Sequence, residues 1–229
     1  MGVRMDILVL LLFCIAAYLY GSINLALILA RHIGGIDIRD TGTRNAGTAN
    51  IGRTLGKRWA FLVFLFDLSK SLLPMTAAGL LLADGDTLAG TIGLLLIALS
   101  AVLGHCRPLY YQFKGGGGIV TVMGALCYFV FAEFFISLVL AYIIAELFLR
   151  HTQYRIGQWV PILFLSITPV VTLLASLFLD LHIIAGITLG GKPPYLAAVV
   201  LVFGLCIILL NQHMFRGKVA EARSFKGKP

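Results

Sequence analysis

Two polar segments in an otherwise apolar chain hold the residue types that grip an oxyanion. The first, GGIDIRDTGTRNAGTANIGRTLGK, covers residues 34–57, and the second, GHCRPLYYQFKGGGGIVT, covers residues 104–121. Glycine permits tight turns whose backbone N–H groups converge, hydroxyls and amides add donors, and Arg or Lys neutralises charge. The chemistry this mixture suits is the binding of phosphate, and the plainer alternative for the same composition is a pair of flexible glycine-rich loops. Neither segment is a Walker A loop, because no GxxxxGK[ST] occurs. The run Gly42-Thr43-Arg44-Asn45-Ala46-Gly47 lacks the GxGxxG spacing and a preceding strand, which excludes a dinucleotide-binding fold.

Charges inside the apolar runs are a second source of chemistry. Asp67 and Lys70 stand at i, i+3, close enough on one helix face to pair. An ionisable group within a membrane is costly and is by default a functional candidate, the alternative being a self-neutralised pair that orients its helix. Glu133 and Glu146 read as structural or interfacial. His105 follows Gly104 at the end of a span, with neither an HxxxxD pattern nor a Ser/His/Asp set of plausible geometry, so no His–Asp base and no serine triad are supported. Asn211 and His213 stand at the end of the last span, where they can add polar contacts to the same pocket. The four cysteines, Cys14, Cys106, Cys127 and Cys206, make no CxxC pair and read as small buried hydrophobes. No metal, cofactor or nucleic-acid partner is expected.

The elements that must position these residues are spans. The 229 residues are 59% hydrophobic and 12% charged, with a mean hydropathy of +0.96. A soluble domain has about 25% charged residues, so disorder, a coiled coil and an ordinary soluble enzyme are excluded, and a polytopic membrane protein remains. The apolar runs are Ile7–Ala30, Trp59–Ala83, Leu88–Leu103, Ile119–Leu149, Trp159–Leu179 and Tyr195–Leu210. The first is longer than a signal-peptide core and reads as a retained span. The fourth is either one long tilted helix or two short helices turning around Glu133. Charge asymmetry decides: with seven spans, fifteen of the 18 Lys and Arg share one side, whereas six spans split them nine to eight. The expectation is therefore an all-α polytopic integral membrane protein of about seven transmembrane helices. It forms a single domain over 1–229 in the cell membrane, with the N-terminus outside. The loops at 31–58 and 104–118 and the tail at 211–229 are then cytoplasmic. The net charge of +8 both sets orientation and builds a basic mouth for anions.

With the spans drawn, the motifs resemble those of the membrane acyl-phosphate:glycerol-3-phosphate acyltransferases. Gly21-Ser22-Ile23, Asp37-Ile38-Arg39 and TGTRNAGTANIGRTLGK at 41–57 are similar to that family's GSIP, DIR and GSGNxGATNxxRxxGK. Asp67-Leu68-Ser69-Lys70 resembles its DxxKG, and residues 104–121 resemble its GHxFPxFxxFKGGKGVAT. The resemblance implies a seven-helix bundle. It implies transfer of an acyl group from acyl phosphate to glycerol 3-phosphate, giving lysophosphatidic acid for phospholipid synthesis, with a substrate phosphate assisting removal of the hydroxyl proton. It also implies roles for matching positions. Thr43, which replaces the family's Ser, with Asn45, Arg53 and His105, would serve the reaction. Ser22, Arg39, Gly47, Asn50, Lys70, Lys114, Gly115 and Gly116, together with Asn211 and His213, would bind or line the substrate pocket. Its partners would be the two substrates and the lipid bilayer.

Three positions depart from the pattern. Arg44 stands where the family has Gly, Asn24 where it has Pro, and Gly117 where it has a phosphate-contacting Lys. Loss of one charge-assisted contact is worth about 1.5–3 kcal/mol, and Arg44 and Arg107 are the nearby cations that could replace it. The C-terminal motif, roughly HRxNIxRLxxGxE, is out of register, although Asn211, His213, Arg216 and Glu221 are present. Two alternatives stay open: the same fold with another acceptor, or an inactive regulatory or transport paralogue.

Overall fold

The structure is a computed structural model that describes residues 7–82, 87–149, 159–184, 187–190 and 193–210. In chain order the helices are α1 (Ile7–Ser22), α2 (Leu25–Gly34), α3 (Thr48–Thr54), α4 (Lys57–Leu82), α5 (Leu88–Cys106), α6 (Ile119–Phe129), α7 (Phe131–Leu149), α8 (Val160–Phe178) and α9 (Tyr195–Leu210), with a 3₁₀ turn at Leu109–Tyr111. The helical expectation holds, with one addition: β1 (Asp180–Ile184) and β2 (Ile187–Gly190) pair antiparallel between α8 and α9. Among the described residues, five segments are long and apolar enough to cross a membrane, Ile7–Gly34, Lys57–Leu81, Leu88–Tyr111, Phe131–Leu149 and Val160–Phe178, and two shorter apolar helices accompany them, at Ile119–Phe129 and Tyr195–Cys206.

Two of the expected spans are drawn differently. The run read as one span from Ile7 to Ala30 lies within the single membrane-length segment Ile7–Gly34, but that segment is interrupted between α1 and α2. The Ser22 hydroxyl donates back to the Tyr18 carbonyl at 2.8 Å, and the Asn24 side chain caps α2 by accepting the Leu27 amide at 3.0 Å. An Asn whose side chain can satisfy an orphan helix N–H favours a new start over continuation. The run 119–149 is indeed two helices, but the turn falls at Val130 (φ −141°, ψ 58°) and not around Glu133, which lies inside the first turn of α7.

Close approach between helices relies on glycine. A Cβ on Gly21 would collide with the Ala101 carbonyl, and one on Gly104 with the Tyr18 carbonyl, so α1 and α5 meet backbone to backbone. Small residues at such crossings give van der Waals contact where lipid supplies no hydrophobic drive. Tyr18 Oη also donates to the Arg107 carbonyl at 2.9 Å, fastening α1 to the chain leaving α5. The main core joins α1, α4, α5, α6, α7, α8 and α9. A second, smaller apolar cluster of Ala26, Leu27, Ala30, Ile38, Ala46, Ile51 and Val63 sits beneath the 35–47 loop, and gives that loop a floor of its own. The outward faces carry many exposed large apolar side chains, among them Leu8, Leu80, Leu147 and Phe178, as a lipid-facing surface requires.

Candidate active site at the junction of two glycine-rich loops

The first polar segment folds around one side chain. Asn50, buried on α3, donates through Nδ2 to the carbonyls of Ile38 and Thr41, both at 2.9 Å, and of Asn45 at 3.1 Å, and accepts the Thr43 amide at Oδ1 at 3.0 Å. Its amide is thereby committed to folding the loop that displays Thr43, Arg44 and Asn45. Gly42, at φ +57°, sits with its Cα against Asn50 Oδ1, where a Cβ would clash. Arg44 also takes the left-handed conformation, at φ +56°. This is the position where the resembling motif has Gly, and the left-handed region is where glycine costs least.

The entry to the loop is fixed by charge. The Arg39 guanidinium donates to both carboxylate oxygens of Asp37, and its backbone amide donates to Asp37 Oδ1 at 3.0 Å. These hydrogen bonds hold the Asp37 carboxyl down at about 2, and they raise the guanidinium's pKa above its ordinary value. Arg39 also donates to the Lys114 carbonyl at 3.3 Å, which ties the first segment to the second.

The second segment returns over the end of α5. The Gly115 amide donates to the Cys106 carbonyl at 3.3 Å and the Gly116 amide to the His105 carbonyl at 3.1 Å. Cβ atoms on either glycine would strike this turn: Gly115 against the His105 carbonyl, Gly116 against His105 Nε2 and the Ala46 carbonyl. Gly118, at φ +74°, then starts α6 with no side-chain cap. Beneath lies a buried cluster. Lys70 Nζ is 2.8 Å from Asp67 Oδ1 and 3.0 Å from His105 Nδ1, which is 3.3 Å from the same Asp67 oxygen.

The expected residues therefore divide by position. Thr43, Asn45 and Gly47 lie along the Asn50-braced loop, with Gly47 opening α3. Arg53 and Lys114 are exposed at the same end of the bundle as Arg44. Gly115 and Gly116 cross Ala46 and His105. Ser22 is buried; besides bonding Tyr18 it accepts the Leu109 amide at 3.2 Å, bracing the second segment from below. Lys70 and His105 belong to the buried cluster. Asn211 and His213 lie outside the described residues. Asn24 and Thr48 are participants that the motifs do not point to, and Asp67, read from the sequence as an ionisable candidate paired with Lys70, joins them. Asn24 reaches the Ala46 carbonyl with Nδ2 at 3.3 Å, Asp67 completes the buried cluster, and the Thr48 hydroxyl at the start of α3 is buried without a partner in the described protein. A polar, cap-forming residue inside an apolar run was the available signal for Asn24.

The arrangement offers hydroxyl, amide and cationic side chains on two loops whose backbone amides at Thr43, Gly47, Gly115 and Gly116 are spent on folding the loops themselves. Among the described residues no cluster of three His, Cys, Asp or Glu is arranged to hold a metal ion.

Comparison with known proteins follows the same lines. A family model described as glycerol-3-phosphate acyltransferase matches residues 11–219. A glycerol-3-phosphate acyltransferase of Aliivibrio salmonicida (strain LFI1238) is 35% identical over 208 residues, covering 89% of this chain and 90% of that protein. One from Legionella pneumophila (strain Corby) is 42% identical over 117 residues, so that the match takes in 51% of this chain but only 40% of that longer relative. The crystal structure of PlsY (YgiH), described as an integral membrane glycerol 3-phosphate acyltransferase, in its glycerol 3-phosphate form, superposes with a TM-score of 0.71 at 26% identity, covering 93% of this chain and 92% of that one. Its lysophosphatidic acid form gives 0.69 at 25% identity.

Proposed function

Because the chain belongs to the glycerol-3-phosphate acyltransferase family, we propose that it acylates glycerol 3-phosphate in the membrane, with acyl phosphate as donor and lysophosphatidic acid as product. The observation that carries this reading is the junction itself: the Asn50-folded loop, which displays Arg44, meets the Gly115–Gly118 turn at Ala46, and Arg39 ties the loop to Lys114. Such a mouth suits two phosphorylated substrates, one of which keeps its acyl chain in lipid.

The step balances without a protein nucleophile. A glycerol hydroxyl oxygen attacks the acyl carbonyl carbon, the ester C–O bond forms, the carbonyl C–O bond to phosphate breaks, and phosphate leaves with the electron pair. The hydroxyl proton passes to a phosphate oxygen of a substrate. Acyl phosphate is already activated, so the chain's own task is to align hydroxyl with carbonyl and to stabilise charge on the departing phosphate. The Thr43 hydroxyl, the Asn45 side chain and the cations of Arg53 and Lys114 are the groups assigned to that task.

Orientation follows from charge. The N-terminus lies outside and the two loops and the tail lie in the cytoplasm, with seven spans counted when α6 and α9 each cross. Cysteine accessibility at the exposed Ala49 and in the tail checks this, with both sites reacting from the cytoplasmic side.

The functional test is a donor panel. Purified protein given glycerol 3-phosphate should form lysophosphatidic acid with palmitoyl phosphate and not with palmitoyl-coenzyme A. Product from the thioester alone would contradict the donor assignment. Preference for a different phosphorylated acceptor would contradict the acceptor assignment.

A further inference from the structure

Resting on that reading, we propose that His105 is a positioning residue that registers the two substrate loops against each other, and that it does not accept the glycerol proton. Three observations carry this. First, the ring is sealed: His105 is 3% exposed, Asp67 2% and Lys70 0%. Second, Nδ1 is already engaged, 3.0 Å from Lys70 Nζ and 3.3 Å from Asp67 Oδ1. Third, Nε2 points at the crossing of the loops, because a single Cβ placed on Gly116 would strike both Nε2 and the Ala46 carbonyl.

The buried pair dictates which nitrogen carries hydrogen. An ammonium has three donors and no lone pair. Lys70 gives one hydrogen to Asp67 at 2.8 Å, and it lies over the Phe66 ring at 5.3 Å. Its contact with His105 requires Nδ1 to be the acceptor, so the ring proton resides on Nε2. That N–H faces the junction of Ala46 and Gly116. The His105 carbonyl meanwhile receives the Gly116 amide at 3.1 Å, and Asn24 holds the Ala46 carbonyl from the other side at 3.3 Å. One residue thus holds the second loop through its backbone carbonyl and places its Nε2–H at the crossing with the first. With Nδ1 facing the Lys70 ammonium and the ring hydrogen on Nε2, the imidazole keeps no lone pair for the proton of a substrate hydroxyl.

Two measurements test this. Nitrogen NMR of histidine-labelled protein in detergent, with His105 assigned by loss of its signal in His105→Gln, should read the Nε2–H tautomer at pH 7. Lys70→Met should convert it to Nδ1–H, donating to Asp67. An Nδ1–H ring in the wild type overturns the proposal whether or not the protein is active. Kinetically, His105→Asn and His105→Gln, which do not titrate, should retain kcat within about tenfold while KM for glycerol 3-phosphate rises, and the pH profile should keep its wild-type shape. A base would be worth about 10²–10⁴ in kcat. A loss of that size in both amides, with disappearance of an acidic limb, overturns the proposal. A wild type that makes no lysophosphatidic acid would count against the acyl-transfer reading, and the tautomer would still decide this one.

Discussion

Asn50 accepts the backbone amide of Thr43 at 3.0 Å, and this single contact aims the hydroxyl-bearing turn of the first loop. The same side chain donates to three carbonyls. Asn50→Asp keeps the volume but replaces both N–H donors with an acceptor, and each buried carbonyl left unpaired costs about 1–3 kcal/mol. The expected outcome is a thermal midpoint several degrees lower in detergent, at about 2–4 °C per kcal/mol for a chain of this size. Acyltransferase kcat/KM should fall at least tenfold. An unchanged midpoint would show that the loop is held by something else.

Arg44 occupies a left-handed backbone position, at φ +56°. That conformation costs a residue with a Cβ about 1–2 kcal/mol, while glycine loses part of the advantage through its freer unfolded chain. Arg44→Gly should therefore raise the thermal midpoint slightly. If the guanidinium also serves phosphate, KM for glycerol 3-phosphate should rise in the same variant. Arg44→Ala should share the KM change but not the gain in stability. Equal stability of the two variants would refute the conformational argument.

The Asp37–Arg39 pair makes a signed pH prediction. The Asp37 carboxyl sits at about 2 in the folded chain against an ordinary 3.8, so the unfolded chain binds this proton at higher pH. The stabilisation is fully present above about pH 4 and is lost as pH falls toward 2. Its size is modest, because the side chain is partly solvent-screened. Comparing the wild type with Asp37→Asn, the stability gap should be constant above pH 4 and should close as pH approaches 2. A gap already closing near pH 6 would contradict the assignment.

What the sequence made legible followed from repeated or local signals. The apolar runs, their basic flanks and the i, i+3 relation of Asp67 and Lys70 could be read directly, and the pair forms at 2.8 Å. The break after Ser22 was not read, because averaged hydropathy over Ile7–Ala30 conceals one capping Asn. The turn at Val130 carries no Gly or Pro to announce it. That His105 joins Asp67 and Lys70 depends on packing between helices, and no periodicity links positions 35 apart. The departure at Arg44 was visible as a residue type, but its left-handed backbone was not. Asn50 was expected to touch phosphate; its full set of loop contacts arises from α3 turning back over the segment that precedes it.

Acyl transfer at the loop junction is best probed at Arg53, which is exposed on the last turn of α3. Purified wild type with palmitoyl phosphate and radiolabelled glycerol 3-phosphate should form labelled lysophosphatidic acid. Folded Arg53→Ala, lacking a charge-assisted phosphate contact worth about 1.5–3 kcal/mol, should form it roughly ten- to a hundredfold more slowly. Folded wild type without product, or equal rates in wild type and Arg53→Ala, would contradict the account.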